Sequence, residues 1–167
     1  MLPDILKKNL KIVFVGINPG KRSDKLQHYY AGRSNQFWQL LYDSKLTPSK
    51  LSPYDDLNLL GFEIGLTDVI RQATRNSGEA RKLLNRGDID ELNKRIRNYT
   101  PQVVCFNGKE AYGFFLGRKV EKLGLQSEKM RGAKVFVVPS SSGTNTWFTR
   151  KGKLQYYKEL KKVSEEM

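Results

Sequence analysis

The sequence predicts an α/β fold in which a central, mainly parallel sheet is covered by helices on both faces. Three short apolar runs carry the first half of that prediction: Lys11-Ile-Val-Phe-Val15, Gln102-Val-Val-Cys-Phe106 and Lys134-Val-Phe-Val-Val138. Each has the length and β-branched content of a buried strand. Segments with helical spacing separate them, and strands alternating with helices build parallel sheets. A chain of 167 residues has room for one such unit, so residues 1–167 are expected to form a single domain.

In chain order, the first strand ends at Gly16 and opens a loop that runs to Arg33 and contains Pro19, Gly20 and Gly32. Ordered loops of that length are usually functional. Ser34 is placed to cap a helix whose apolar stripe is Phe37, Trp38, Leu40, Leu41 and Tyr42. A weaker helical stretch lies around Pro48 and Pro53 and ends near Gly61, and the mixed pattern of 63–70 assigns no element. Ser77 starts a helix that closes before Gly87. Asp88, followed by Glu91, forms a capping-box pattern for a helix to about Asn98, which Pro101 stops. After the second strand, Asn107-Gly108 leads into a helix through Tyr112 and Phe115. The third strand ends at Pro139 and a serine-rich loop, and Leu154–Val163 closes the chain as a helix. Ligands of parallel sheets bind in loops beyond the C-terminal strand ends. The loops after Val15 and Val138 both lie there.

Composition narrows the partner. The formal net charge is +13, from 30 Lys and Arg against 17 Asp and Glu, and the pI is near 9.8. Residues 1–50 carry +6 and residues 101–167 carry +7, while the middle is neutral. Self-repulsion on that scale destabilises a compact chain, and a polyanionic partner relieves it. Nucleic acid leads; a solvated lysine-rich surface is the plainer explanation. An anionic membrane ranks below both, because no helix is basic on one face and Trp/Leu-rich on the other. One cysteine, Cys105, excludes an internal disulfide and any four-cysteine metal site, and one histidine, His28, excludes sites built from several imidazoles. No apolar run reaches the ~20 residues of a membrane span, and the N-terminus lacks a signal-peptide pattern. A cytoplasmic protein is expected, nucleoid-associated in a prokaryote.

The two loops differ in what they offer. Gly16-Ile-Asn-Pro-Gly20 misses the glycine spacing of a P-loop and has Arg22 where a hydroxyl is required. Pro19 and Lys21-Arg22 break the dinucleotide fingerprint as well. What remains is Asn18, a carboxamide between glycines and a stiff proline. It is either a turn residue bonded to its own backbone or a rigid acceptor for water. The loop from Pro139 to Thr146 presents hydroxyls and backbone amides suited to phosphate oxygens, with Lys151 and Lys153 following, or is an ordinary turn. Tyr29, Tyr30, Arg33 and Asn35 combine flat rings with base-edge hydrogen-bonding groups. Phe37 and Trp38 belong to the apolar stripe and the core.

Taken in order, Gly16-Ile-Asn-Pro-Gly20, Asn35-Gln-Phe-Trp38, Gly65-Leu-Thr67, Phe106-Asn-Gly-Lys109 and Val138-Pro-Ser-Ser-Ser142 resemble the mismatch-specific uracil/thymine-DNA glycosylase family, within the uracil-DNA glycosylase superfamily. The resemblance runs from about Ile5 to Lys162. It implies a three-layer α/β/α sandwich and a monofunctional hydrolase of base excision repair. Such an enzyme turns uracil, or thymine or another damaged base, out of a G·U or G·T mismatch and cuts its N-glycosidic bond with no metal or other cofactor. By resemblance Asn18 positions the attacking water and Tyr30 stacks on the everted base, with Gly16, Ile17 and Asn35 expected around it. Ser140, Ser141, Ser142, Gly143 and Thr144 grip the DNA, joined by Lys151. The implied partner is double-stranded DNA met by a monomer.

Three departures from the family pattern stand out. Ser140-Ser141-Ser142-Gly143 is closer to eukaryotic thymine-DNA glycosylases than to the bacterial Asn-Pro-Ser-Gly form. Thr144 occupies the position where relatives carry a Leu or Arg wedge. Asp68 stands where relatives carry Asn or Lys; its carboxylate either accepts the N3–H of the base, orients the water, or is structural near a helix start. A non-catalytic mismatch- or damaged-DNA-binding protein is the alternative, and the intact Asn18 argues against it.

Overall fold

Five strands form one sheet in the computed structural model, which describes residues 1–166. They are β1 (Ile12–Gly16), β2 (Ile64–Asp68), β3 (Val103–Asn107), β4 (Gly124–Met130) and β5 (Ala133–Val138). Their order is β2-β1-β3-β5-β4, with β4 alone antiparallel. The helices are α1 (Lys21–Leu26), α2 (Phe37–Asp43), α3 (Ser77–Leu83), α4 (Arg86–Tyr99), α5 (Lys109–Leu116) and α6 (Arg150–Glu165), with a 3-10 helix at Pro53–Phe62. Alternate side chains of the central strands enter two separate cores, which is why their apolar runs are continuous. Phe14, Cys105 and Phe136 pack with Phe37, Leu41 and Tyr157 of α2 and α6. Val13, Val104 and Val135 pack with Ala80, Leu92, Ile96 and Ala111 of α3, α4 and α5. The architecture is the expected three-layer α/β/α sandwich.

The mixed stretch 63–70 contains a strand. β2 is an edge strand, yet all five of its residues are buried, because the N-terminal segment covers the edge. Ile5 and Leu66 exchange backbone hydrogen bonds of 2.9 and 2.8 Å. Gly65 is needed for that approach: a Cβ there would lie 2.7 Å from the Ile5 carbonyl oxygen and 2.7 Å from Leu10 Cδ1. Thr67 donates to Asp4 Oδ1 at 2.6 Å. Contacts remote in sequence therefore explain residues that look out of place in a strand. Gly65→Ala is expected to destabilise the protein by about 1–3 kcal/mol through overpacking against backbone. Urea titration should show a lower midpoint with an unchanged slope.

Other elements depart from the sequence reading for local reasons. β4 carries Gln126, Ser127, Glu128 and Lys129, and a register shift between Leu125 and Lys129 hides its alternation. A two-residue turn, Arg131 and Gly132 at φ 50° and 87°, joins it to β5 with the left-handed backbone that tight hairpins favour. α1 interrupts the expected 16–33 loop; its five charged and polar residues plus one leucine show no apolar stripe. The weak helical stretch after Pro53 is 3-10. Asn35, not Ser34, braces the start of α2, its Oδ1 accepting from Phe37 N at 3.0 Å. Asn85, not Asp88, caps α4; Asp88 is the reciprocal acceptor, at 3.2 and 3.0 Å. α6 begins at Arg150, capped by Thr149. Among the described residues no helix is long and apolar enough to cross a membrane.

Candidate active site

All four parallel strands deliver their C-terminal ends to one place. Gly16 of β1 pairs with Asp68 of β2, and Asn107 of β3 pairs with Val138 of β5. A cavity of about 520 Å³ opens there, lined by Gly16, Ile17, Asn18, Tyr30, Asn35, Asp68, Ser140, Ser141, Ser142 and Thr144. The two loops singled out from the sequence thus face each other across one space. Gly143 and Lys151 do not line it. Gly143 seats the serine loop on Ser34, where a Cβ would meet Ser34 Cβ at 2.4 Å. Lys151 is exposed in the first turn of α6.

Asn18 is held by the segment that follows β2. Val69 N and Ile70 N donate to Gly16 O and Ile17 O at 2.9 and 2.8 Å, so the two post-strand segments run together. Asn18 Nδ2 donates to Gln72 O and to Thr74 Oγ1, both at 2.8 Å. Only the nitrogen end can face a carbonyl oxygen, which settles the orientation of the amide. Both N–H groups are consumed, and Oδ1 is left without a donor among the described residues, on a residue that lines the cavity. A side chain locked by two partners is rigid, as a residue that places a water molecule must be.

Tyr30 is placed by its neighbours on both sides. Asp56, buried, accepts from Tyr29 N at 3.1 Å and faces His28 Nδ1 at 3.2 Å. Ala31 N donates to Ser23 Oγ at 3.0 Å, and Arg22 Nε donates to Ala31 O at 2.8 Å. Between these clamps Tyr30 adopts a left-handed φ of 52°. One ring face packs on Phe37, with centroids 4.1 Å apart. Its hydroxyl is buried with no hydrogen-bond partner among the described residues. Tyr29, by contrast, is core and donates its hydroxyl to Pro3 O at 2.9 Å.

Gly16 lets two oxygens approach the cavity floor. Asp68 Oδ1 and the Tyr30 hydroxyl lie 2.6 and 3.1 Å from the point a Cβ on Gly16 would occupy. The Asp68 carboxylate accepts no hydrogen bond from the described residues. Burial raises its pKa to about 7, with the nearby Asp4 charge adding and Arg95 and Arg71 opposing. Burial first, then Asp68, drives the Tyr30 phenol upward. Behind Asp68, Arg71 clamps Asp4 in a fork of 2.9 and 2.6 Å. Arg95 bonds Thr67 Oγ1 and, at 2.9 Å, Asp68 O. Of the alternatives open for Asp68, the structural one near a helix start does not hold: Asp68 is the last residue of a strand, and its position follows from β2 pairing.

A second network holds the serine loop. Asn107 Nδ2 donates to Ser141 Oγ at 2.9 Å, and Ser141 Oγ donates to Asn35 Oδ1 at 2.8 Å. Asn107 Oδ1 accepts from Ser141 N at 3.0 Å, closing a ring of satisfied polar groups. Lys153 adds an unusual strut. It is 1% exposed, has no carboxylate partner among the described residues, and donates to Gln36 Oε1 at 3.1 Å and Ser142 O at 3.2 Å. Desolvation lowers its pKa.

This arrangement joins a rigid free acceptor, an unpartnered carboxylate, a buried phenol and a braced hydroxyl loop around one mouth. The uracil DNA glycosylase superfamily model matches residues 3–161. The chain belongs to that superfamily. A solution NMR structure of a candidate uracil DNA glycosylase from Methanosarcina acetivorans is similar in fold, with a TM-score of 0.63, 22% identity and 96% of each chain covered. In this superfamily member Asn107, Gln72 and Thr74 hold the site although no sequence signal assigns them roles. Asn107 sat inside a quoted motif and so was within reach. Gln72 and Thr74 carry no motif, and only folding brings them to Asn18.

Proposed function

We propose that the protein is a monofunctional DNA glycosylase that excises uracil, and thymine or other damaged bases, from G·U or G·T mismatches, acting as a monomer on duplex DNA in the cytoplasm. The observation that carries the reading is Asn18, a cavity-lining residue whose amide is locked by Gln72 and Thr74 while Oδ1 has no donor among the described residues. Turning the nucleotide out costs roughly a few kcal/mol, least at a mismatch. Contacts between basic side chains and phosphates offset that cost and make affinity fall steeply with salt.

In the cavity, the C–N bond breaks and its electron pair leaves with the base. Backbone N–H groups near Ile17 and Asn18 stabilise the developing anion. Asn18 Oδ1 accepts a hydrogen bond from water and aims its oxygen at the cation-like C1′. An amide is too weak a base to ionise that water, so the proton leaves after C–O bonding has begun, passing to bulk water and so to the departed base anion. Tyr30 and Asn35 border the base, and the carboxylate of Asp68 accepts its N3–H or helps orient the water. The serine loop, Ser140 to Thr144, holds the backbone on the far side.

The test is a panel of duplexes carrying U, T, hypoxanthine or xanthine opposite each normal base, scored by alkaline strand scission. U and T opposite G should be cut fastest. Tight duplex binding with no abasic product from any member would instead mark a damage-binding protein.

A further inference from the structure

The serine loop leads to a side chain that the site described so far does not use. Trp147 is 90% exposed, whereas the chain's other tryptophan, Trp38, is buried in the core. An indole left in water beside a polar cavity costs free energy unless a flat apolar surface covers it. Thr144, at the expected wedge position, is turned back on its own loop. Its hydroxyl and its backbone N–H both bond Ser142 Oγ, at 2.8 and 3.2 Å.

Trp147 is held in place relative to the cavity. Asn145 Oδ1 accepts from Trp147 N at 3.3 Å, and Asn145 Nδ2 donates to Ser140 O at 3.0 Å. On the other side Phe148 packs edge-on against Tyr156 of α6, with centroids 6.0 Å apart. The indole borders a second cavity of about 480 Å³, which shares Ile17, Asn107, Glu110, Ser140 and Thr144 with the first and adds Lys109. Arg150 and Lys151 follow in the first turn of α6, the end of a helix where cations are unfavourable. A polyanion lying there offsets that cost.

We propose that Trp147, rather than Thr144, is the side chain that enters the DNA base stack where the nucleotide is turned out. The inference rests on the glycosylase reading for its site and deepens it: an aromatic plug stacks on the flanking bases and fills the vacated space. Sequence tolerance follows, because every base offers a π face. The occupant is duplex DNA, selected by the cations that flank the indole.

The test uses the full chain as wild type, Trp147→Ala and Trp147→Phe, with a duplex containing a tetrahydrofuran abasic site opposite G. Wild-type tryptophan fluorescence should be quenched on titration, and the quench should vanish in Trp147→Phe. Trp147→Ala should bind the abasic duplex about tenfold or more weakly, the scale of one lost stacking contact. Its ratio of uracil excision from U·G duplex to excision from single strands should fall about tenfold, with Trp147→Phe recovering most of it. Unchanged fluorescence together with an unchanged ratio would overturn the proposal. If wild type releases no uracil from any substrate, the glycosylase reading fails, and the fluorescence and affinity arms alone decide on Trp147.

Discussion

Asn18→Ala is expected to lower the single-turnover rate of uracil excision by about 10²–10³-fold, the scale of removing one preorganised polar group. Affinity for a U·G duplex should stay close to the parent's, because binding rests on phosphate contacts elsewhere. The size of the effect follows from rigidity. Gln72 and Thr74 hold the amide in one orientation, so no reorganisation is needed as charge develops. Truncation to alanine also leaves Gln72 O and Thr74 Oγ1 without a donor, and a small loss of stability should accompany the kinetic one. Single-turnover cleavage with enzyme in excess, together with a binding isotherm on the same duplex, separates the two. Cleavage at the parent rate would remove Asn18 from the chemistry.

Asp68→Asn should change two pH profiles in opposite senses. The Asp68 carboxyl rises from an ordinary 3.8 to about 7 on burial. The native state therefore holds a proton that the unfolded chain releases. Its stabilisation is fully present below about pH 4 and is lost as pH rises to about 7. Asp68→Asn cannot ionise, so that decline should disappear and the variant should gain on the parent near neutral pH by a few kcal/mol. Activity should run the other way. On the proposed role, in which the ionised form accepts the N3–H or orients the water, parent excision should climb with pH through about 7 and level off. The variant should be slower, with no such limb, and should choose differently among damaged bases. Equilibrium unfolding and single-turnover rates across pH 5–9 check both profiles. A parent rate that is flat in pH would take Asp68 out of the reacting form.

The layers and three central strands were legible because β1, β3 and β5 are buried on both sides and their runs are unbroken. β2 was not, since Gly65, Thr67 and Asp68 answer to Ile5, Leu10, Asp4 and Arg95, partners remote in sequence. β4 was hidden by its charged, bulged edge. Asn18 and the serine loop were legible as motifs at strand ends, where parallel sheets bind ligands. What locks Asn18 was not, because the Gln72 carbonyl is backbone and Thr74 belongs to no pattern. Gly143, expected at the DNA, is needed where the serine loop packs on Ser34; a glycine in a loop does not announce whether its freedom serves a partner or its own chain. The burial of Lys153 was equally silent, since lysine is the side chain least expected inside.

One measurement bears most directly on the whole account: incubation of the protein with a U·G duplex, followed by chromatography of the released small molecules and a gel run with and without alkali. Free uracil should be the sole released product, and the strand should break only after alkali. No uracil released, or a strand broken before alkali, would contradict it.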